Sequence, residues 1–440
     1  MKAMEKARLA REASRKLMIV SLEKRNSTLD GIAKAIKENS KYILSENEKD
    51  MKNAAKLSSK GLLQESLVSR LKMSGEKLQT LCKGIIEIAR MQDPINRTTY
   101  AIELDKGLEL SRITCPIGVI CVVFEARPDA LVQIASLCLK SGNAVILKGG
   151  SEARNSNAAF ISVISKAAAD AGIPEGWISM LQDRGEFDDA LKMDDYIDLV
   201  IARGSKGLVE HVLSNTRIPV MGHTEGLCHI YVDKSAKHGM AIDICIDSKT
   251  NYPAACNSVR YILVNKDIAD SFIPELAKRY AQAKVKMRCS DDAISILDRH
   301  GIRGGNISRA SEKDWTTEFL DMTAAVMVVE GLDGAIEWIN DHSSRHTDAI
   351  ITQDKEAAGR FASMVDSSSV MVNASTRFAD GYRYGFGAEV GVNTGKMHAR
   401  GPVGIEGLVT YKYVLIGRGH VVGDYMGKNA KGFTHKLHKV

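Results

Sequence analysis

The first hundred residues carry apolar positions three and four apart with charged residues between them, as in LDGIAKAIKENSKYILSENEKDM. That spacing predicts amphipathic helices. From about residue 113 the pattern changes to short apolar runs that alternate with longer amphipathic segments. IGVICVVF (117–124) and NAVILK (143–148) are typical of buried strands, and Asp129 is expected to cap a helix that runs to Gly142. The sequence therefore predicts a helical N-terminal region followed by βαβ units.

The alternation of strands and helices continues for most of the remaining chain. YIDLVIARG and RIPVMGH extend the first set, and a second set begins after residue 256 with RYILVNK, AAVMVV, TDAIIT and SSVMVNAS. Strands and helices of these lengths predict an α/β fold with a parallel, doubly wound sheet and a second α/β unit. The tail, LVTYKYVLIGRG, alternates like a lone strand, which favours pairing with another chain.

Charge and cysteine content narrow the classes of function. The 60 basic and 54 acidic residues give a net charge of +6 without long runs of one sign. A nucleic-acid-binding protein usually concentrates its charge, whereas a small basic surplus suits anionic small molecules. No run approaches the roughly 18 apolar residues of a membrane span. The eight cysteines form no C-x-x-C pair, which indicates reduced thiols in a cytosolic protein.

Nucleotide-binding signatures are absent in their usual form. No G-x-G-x-x-G follows a predicted strand, and the chain has no G-x-x-x-x-G-K-[ST]. Two predicted strands instead end in KGGSEARNS (148–156) and ARGSKG (202–207), each of which leads into a helix. Ligands of open α/β sheets lie at the carboxyl ends of strands, and helix N-termini hold phosphate. A lysine at a strand end that is merely solvated is the alternative.

Cys256 stands out among the cysteines because it lies in the loop NYPAACN (251–257), between small residues and after a proline. A predicted helix or turn follows, and a helix N-terminus can lower a thiol pKa. The alternatives are a nucleophile and a small buried hydrophobic residue. Arg260 follows Cys256 closely in the sequence. Its cation would lower the thiol pKa if the side chain faces the site, and the alternative is a solvated side chain.

The histidines give weaker signals. The two histidines of HSSRH (342–346) have helical spacing, but the metal-binding motif H-E-x-x-H is absent. HTEGLCH (223–229) predicts a turn followed by a strand. We therefore predict structural histidines and no metal site. The segment NASTRFADGYRYGFGAEVGV (373–392) is too irregular for a core element and too charged for a linker, so it is predicted to be a functional loop.

Several segments together resemble one family. YPAACN, CPIGVICVVFEARPDA, LKGGSEA, HTDAIIT, VNASTRFADG, GFGAEVGV and HARGPVG are similar, in order and spacing, to the gamma-glutamyl phosphate reductases of the aldehyde dehydrogenase superfamily. The resemblance covers nearly the whole chain. Two departures are ARGS where the family usually has PRGG, and CNSVR where it has CNAME.

The family resemblance implies an aldehyde dehydrogenase-like fold with three parts. An NADP-binding domain with the N-terminal helices is expected at 1–122 and 137–229, and a catalytic domain at 230–372. A strand-hairpin oligomerisation arm and C-terminal tail are expected at 123–136 and 393–440. Members bind the nicotinamide cofactor at a Rossmann-like sheet in a different mode, which explains the missing glycine fingerprint.

The implied activity is NADPH-dependent reduction of L-glutamyl 5-phosphate to L-glutamate 5-semialdehyde and phosphate, the second step of proline biosynthesis from glutamate. Cys256 is expected to form a thioester, which accepts a hydride readily because sulfur donates little resonance to the carbonyl. The resemblance implies NADP(H) as the cofactor, with NADH as the open alternative, and a homo-oligomer in the cytoplasm whose candidate partner is a glutamate kinase. No nucleic acid or membrane is expected to bind.

The resemblance also assigns site residues. Cys256 and Asn257 are the catalytic residues, with the backbone N–H of Cys256 and the amide of Asn257 as oxyanion donors. Arg127 and Arg377 are expected to bind the substrate carboxylate and phosphate. Cofactor contacts are expected from Lys148, Gly149, Ser151, Glu152, Arg203, Gly204, Ser205 and Glu318.

Within that cofactor set, Lys148 is expected near the adenosine ribose, the ARGSKG turn near the pyrophosphate and Glu318 near the nicotinamide ribose. Glu225 has no role, because its context does not match the water-activating glutamate of hydrolytic relatives. Three alternatives stay open: a CoA-dependent or another phosphate-dependent aldehyde dehydrogenase, a catalytically idle scaffold, and a nucleic-acid-binding protein.

Overall fold

The computed structural model describes residues 2–63 and 65–440. Five helices form the N-terminal region, as the apolar spacing predicts. The first turn of the second helix is capped by the Ser21 side chain, and the stripe of Leu29, Ile32 and Ile36 is buried. The helices are α1 (Ala3–Leu17), α2 (Leu22–Glu38), α3 (Ser40–Ser59), α4 (Glu65–Leu71) and α5 (Gly75–Arg90).

An antiparallel hairpin follows the helices, and the sequence pattern did not predict it. It consists of β1 (Thr98–Asp105) and β2 (Leu108–Pro116). The next elements form a five-stranded parallel sheet: β3 (Val119–Phe124), α6 (Pro128–Lys140), β4 (Ala144–Gly149), α7 (Arg154–Asp170), β5 (Ile178–Met180), α8 (Arg184–Ala190), β6 (Leu199–Arg203), α9 (Lys206–Asn215) and β7 (Val220–Gly222). Their strand order is β5-β4-β3-β6-β7.

The strands of this sheet confirm the predicted βαβ pattern. Every residue of β3 is buried, which explains its continuous apolar run. The N-terminal helices share one hydrophobic core with the sheet, so the two form a single unit. Asp129 lies in the first turn of α6 and does not cap it, because the helix already begins at Pro128 with Arg127 in the capping position.

The structure corrects the assignment of residues 123–136 to an oligomerisation arm. These residues form the end of β3 and most of α6, and both elements are buried in the core of the first unit. Their apolar side chains fill that core.

The second α/β unit is a seven-stranded parallel sheet in the order β11-β10-β12-β9-β8-β13-β14, with separate cores on its two faces. Its first strand begins at Cys228, so the unit starts slightly before the expected boundary at 230. Its elements are β8 (Cys228–Val232), α10 (His238–Thr250), β9 (Val259–Asn265), α11 (Lys266–Gln282), β10 (Lys286–Cys289), α12 (Asp291–Arg299), β11 (Ile307–Arg309), β12 (Thr323–Val329), α13 (Leu332–His342), β13 (Thr347–Ile351), α14 (Lys355–Met364) and β14 (Ser369–Val372).

The last four strands return to the first part of the chain. β15 (Gly391–Asn393) pairs with β16 (Gly401–Val403), while β17 (Val409–Ile416) and β18 (Lys436–Leu437) join the β1–β2 hairpin in a four-stranded antiparallel sheet, ordered β17-β2-β1-β18. The prediction of a lone tail strand was therefore wrong, because β17 pairs with β2 along its whole length. Its partner lies about 300 residues earlier, beyond the reach of a local pattern.

All eight cysteines are free thiols. Among the described residues, no helix combines the length and the apolar character that crossing a membrane requires.

Candidate active site

Cys256 lies in a tight turn between α10 and β9, at the amino end of a strand of the seven-stranded sheet. The chain enters a strand after this turn, so the prediction that a helix N-terminus lowers the thiol pKa was wrong. Arg260 is fully buried and donates to the carbonyl oxygens of Ala255, at 2.8 Å, and Ser258. Arg260 therefore fixes the turn on both sides of the cysteine and is not solvated.

Two histidine side chains lie close to the Cys256 sulfur. One ligand atom from each of Cys256, His223 and His346 lies within 4.8 Å of the other two. The imidazole rings are nearly perpendicular, with centroids 5.0 Å apart. His223 Nδ1 is 3.0 Å from the carbonyl oxygen of Val392, and His346 Nδ1 is 2.9 Å from Thr347 Oγ1, which leaves both Nε2 atoms for the sulfur.

The three groups form an ion-pair network. Burial raises the pKa of the Cys256 thiol, but the two imidazoles outweigh burial and hold the pKa well below its usual range. Burial lowers the pKa of His223, whereas the Cys256 thiolate and the Val392 carbonyl raise it to about 9. Both shifts favour a thiolate beside a His223 imidazolium, which is the reactive form of a cysteine nucleophile.

We predicted structural roles for these histidines and did not expect His223 and His346 beside Cys256. A signal was present, because His346 directly precedes β13 just as Cys256 precedes β9, and parallel strands of one sheet share an amino edge. The structural reading is confirmed for two other histidines. His229 is buried 2.8 Å from an Asp348 oxygen, and His342 stacks on Trp338.

Glu318 lies next to the turn that carries Cys256. Its Oε1 accepts a hydrogen bond of 2.9 Å from the Gly226 N–H and contacts Arg260 Nη2 at 3.5 Å. The structure thus brings Glu318 close to Cys256, and its carboxylate links the loop after β7 to the catalytic turn. Glu225, which was given no role, pairs at 2.9 Å with Lys206.

The side chains of Asn257 and Arg377 are hydrogen-bonded to each other. Arg377 Nη1 donates to Asn257 Oδ1, and Arg377 Nε donates to the Asn251 carbonyl at 2.6 Å. Asn257 Nδ2 donates to the Ala379 carbonyl at 2.9 Å. The Asn257 amide thus accepts from Arg377 and donates one of its two N–H groups within the protein, and Arg377 braces the turn from the loop at 373–392.

Backbone amides remain available for an oxyanion. Among the described residues, the N–H groups of Cys256 and Asn257 make no hydrogen bond, although Ala255 and Ser258 on either side do. Two adjacent free donors beside a nucleophile match the geometry that stabilises a developing oxyanion.

Arg127 and Arg203 form a cationic pair beside this turn. Arg127 follows β3 and Arg203 ends the neighbouring strand β6, and neither forms an ion pair within the described part of the chain; Asp129 pairs with Lys77 instead. Arg203 donates at 3.4 Å to the Val390 carbonyl. Burial and the Arg127 cation lower the pKa of Arg203, and Glu389 and Cys256 raise it, so all four groups are close. Two unneutralised cations near a nucleophile favour an anionic substrate.

The cofactor-binding residues expected in the segment 148–156, at the end of β4, lie together at the carboxyl edge of the five-stranded sheet. Lys148 Nζ donates at 2.7 Å to the Gly149 carbonyl, and burial lowers the pKa of this lysine while Glu152 raises it. Glu152 accepts a 2.6 Å hydrogen bond from the Ala126 N–H, and Ser151 is exposed. Lys148 keeps free N–H donors at a strand end, so this edge fits the ribose or phosphate of a nucleotide.

In the second turn that is expected to bind the cofactor (202–207), the backbone is hydrogen-bonded to the Glu125 carboxylate. The Ser205 N–H, at the start of α9, donates to Glu125 at 2.7 Å, and the Ser205 hydroxyl lies 3.2 Å from the other oxygen of that carboxylate. A Cβ on Gly204 would lie 2.6 Å from Glu125. The Glu125 carboxylate thus occupies the backbone donors at the start of α9.

Comparison with known proteins identifies relatives of this chain. Residues 1–295 match the aldehyde dehydrogenase family model. The chain is 48% identical over 428 residues to a gamma-glutamyl phosphate reductase of Methanosarcina barkeri, covering 97% of this chain and 95% of that protein.

Solved structures agree on the fold. The crystal structure of the gamma-glutamyl phosphate reductase of Thermotoga maritima has a TM-score of 0.91 and 36% identity, covering 96% of this chain and all of that one. An engineered glycolyl-CoA reductase with bound NADP⁺ has the same fold, with a TM-score of 0.64 and 16% identity, covering 94% of this chain and 96% of that one. The chain belongs to the aldehyde dehydrogenase family, among its gamma-glutamyl phosphate reductases, and is an oxidoreductase.

Proposed function

We propose that this protein reduces L-glutamyl 5-phosphate to L-glutamate 5-semialdehyde and phosphate with NADPH, through a thioester on Cys256. The observation that carries the proposal is the thiolate between His223 and His346, next to two unpaired arginines. A thiolate suits attack on an acyl phosphate, and the arginines suit its negative charge.

Acylation uses the chain's own groups. The Cys256 thiolate forms a bond to the acyl carbon, the bond from that carbon to the phosphate oxygen breaks, and phosphate leaves toward Arg127 and Arg203. The free N–H groups of Cys256 and Asn257 hold the carbonyl oxygen while it carries negative charge. We thus assign Arg203 to the substrate phosphate, whereas the family resemblance assigned it to the cofactor pyrophosphate.

NADPH, when bound, would supply the hydride that converts the thioester into the alkoxide of a thiohemiacetal. Lys148, Gly149, Ser151 and Glu152 are proposed to hold its adenosine ribose, with the Lys148 cation favouring the 2′-phosphate of NADP(H). Gly204 and Ser205 are proposed to face the pyrophosphate and Glu318 the nicotinamide ribose. Collapse of the thiohemiacetal breaks the carbon–sulfur bond, releases the aldehyde and restores the thiolate, which His223 and His346 again stabilise.

The proposed partners follow from the reaction. A glutamate kinase makes the acyl phosphate, so we place the protein beside that kinase in the cytoplasm. A homo-oligomer is proposed through β17, because this strand forms an edge of its sheet and exposes Tyr411, Tyr413 and Ile416. Light scattering of wild type and Tyr413→Glu tests the oligomer, since a charge at the edge should shift the mass toward a single chain.

The test of the function is reduction of NADP⁺ by the purified protein with L-glutamate 5-semialdehyde, in the presence or absence of phosphate. Turnover that requires both the aldehyde and phosphate is the expected result. Turnover without phosphate, or with CoA in its place, would assign the site to a hydrolytic or CoA-dependent relative. Cys256→Ala should abolish turnover while NADP⁺ still binds, and Cys115→Ala, at a partly exposed cysteine elsewhere, should leave turnover unchanged.

A further inference from the structure

The nucleophile and its two histidines also form a set of metal ligands. Within residues 2–63 and 65–440, Cys256, His223 and His346 are the one group of three histidine, cysteine or acidic side chains whose ligand atoms converge, all within 4.8 Å. A site of one thiolate and two imidazoles binds Zn²⁺ in preference to Mg²⁺ or Ca²⁺.

The imidazoles are oriented as they are in zinc sites. His346 is fully buried, and its Nε2 has no hydrogen-bond partner among the described residues. Its Nδ1 is held by Thr347 Oγ1, and Nδ1 of His223 is held by the Val392 carbonyl. Hydrogen bonding through one nitrogen fixes the ring and presents the other nitrogen to a metal. Both Nε2 atoms are thus presented toward the same sulfur.

The spacing needs only a small adjustment. In a tetrahedral zinc site with bonds of about 2.0 Å to nitrogen and 2.3 Å to sulfur, neighbouring ligand atoms are roughly 3.3–3.6 Å apart. The present limit of 4.8 Å requires a contraction of about 1 Å, which side-chain rotations supply. Because Cys256 is partly exposed, an ion can reach the sulfur from the substrate side.

We propose that Cys256, His223 and His346 bind Zn²⁺ reversibly, and that the bound ion switches the enzyme off. The proposal goes beyond the proposed function, because the metal takes no part in the reaction. A sulfur coordinated to zinc cannot attack an acyl carbon, and it is also shielded from alkylating and oxidising reagents. The fourth zinc position stays open for water or phosphate.

The test is a titration of the metal-free full-length protein with Co²⁺, which replaces Zn²⁺ and absorbs light when bound to thiolate. We expect one equivalent of Co²⁺ to give a thiolate-to-cobalt charge-transfer band that added ZnCl₂ abolishes. Cys256→Ser should lose the band, and His346→Gln should weaken Co²⁺ binding by at least about tenfold. The matched controls Cys115→Ser and His211→Gln should bind as wild type does.

A second measurement needs no variant. Alkylation of Cys256 by iodoacetamide, followed by mass spectrometry of its peptide, should slow at least about tenfold with one equivalent of ZnCl₂ and recover with EDTA. The proposal is overturned if Co²⁺ gives no thiolate band, if the band persists in Cys256→Ser, or if ZnCl₂ leaves the alkylation rate unchanged.

Discussion

Gly226 lies in backbone contact with Cys256: a Cβ atom at position 226 would be 2.7 Å from the carbonyl carbon of Cys256 and 2.8 Å from its Cα. Real Cβ atoms essentially never come that close to backbone, so only glycine lets the loop after β7 reach the catalytic turn. The same loop begins with His223, and Cys228 donates from its Sγ to the Cys256 carbonyl at 3.2 Å.

Gly226→Ala should therefore separate the loop from the turn. We expect kcat to fall at least about tenfold and the free energy of unfolding to fall by about 1–3 kcal/mol, the usual cost of overpacking. Steady-state kinetics and urea unfolding measure the two effects. The control is Gly239→Ala, since a Cβ there meets no atom within 4 Å in helix α10. Equal behaviour of the two variants would contradict the contact.

The histidines should set the reactivity of Cys256. Wild-type Cys256 should react with iodoacetamide at a rate that changes little across neutral pH, because its thiol pKa is well below the usual range. In His346→Gln and His223→Gln the thiol pKa should rise, and alkylation near pH 7 should slow by roughly tenfold or more. His211→Gln, on the surface of α9, is the control. A rate profile that neither active-site variant changes would rule out the ion pair.

Stability should depend on pH in a way that follows from two opposite pKa shifts. The raised pKa of His223 gives stability that is fully present below its unfolded pKa of about 6.5 and lost by about 9. The depressed pKa of Cys256 gives stability that is present above its unfolded pKa of about 8.5 and lost as the pH falls. Between about 6.5 and 8.5 the two changes cancel, because folded and unfolded chains hold the same number of protons on the pair.

Urea unfolding of wild type and Cys256→Ala/His223→Gln across this range measures that relationship. Relative to the double variant, wild-type stability should rise with pH up to about 6.5, remain level to about 8.5 and decline toward 9. Cys115→Ala/His211→Gln should show none of these changes. A steady slope through the middle of the range would mean that only one of the two groups is ionised in the folded protein.

Arg127 and Arg203 should bind the substrate anion. In the direction of aldehyde oxidation, Arg127→Gln and Arg203→Gln should each raise KM for phosphate at least about tenfold, with little change in KM for NADP⁺. Arg217→Gln makes the same charge change at an exposed position just before β7 and should be neutral. If Arg203→Gln instead raised KM for NADP⁺, Arg203 would belong to the pyrophosphate, as the family resemblance assigned it.

Arg377 should act as a brace and not as a substrate ligand. Arg377→Lys loses the two-pronged contact with Asn257 and the Asn251 carbonyl, so kcat and the unfolding midpoint should both fall while KM for phosphate and NADP⁺ stay similar. The neighbouring Arg383→Lys, which changes an exposed side chain, is the control. A selective rise in KM for the acyl phosphate would restore Arg377 as a substrate residue.

Local pattern predicted much of the fold, because buried parallel strands such as β3 and β9 leave continuous apolar runs in the sequence. It missed the β1–β2 hairpin, although its two strands are adjacent in sequence, and it missed the in-chain partner of β17, since pairing across about 300 residues leaves no local periodicity. Cys256 was singled out because it has unusual neighbours. His223 and His346 were missed because their meeting depends on how loops from two units converge, and each histidine alone looks ordinary in its segment.

The catalytic trio draws on both α/β units, since His223 follows the edge strand of the five-stranded sheet, whereas Cys256 and His346 precede strands of the seven-stranded sheet. The charge on the sulfur consequently depends on contacts from both units. A displacement that withdrew His223 would remove one of the two imidazoles that hold the thiol pKa low, while His346 would stay beside the sulfur on the sheet that carries both.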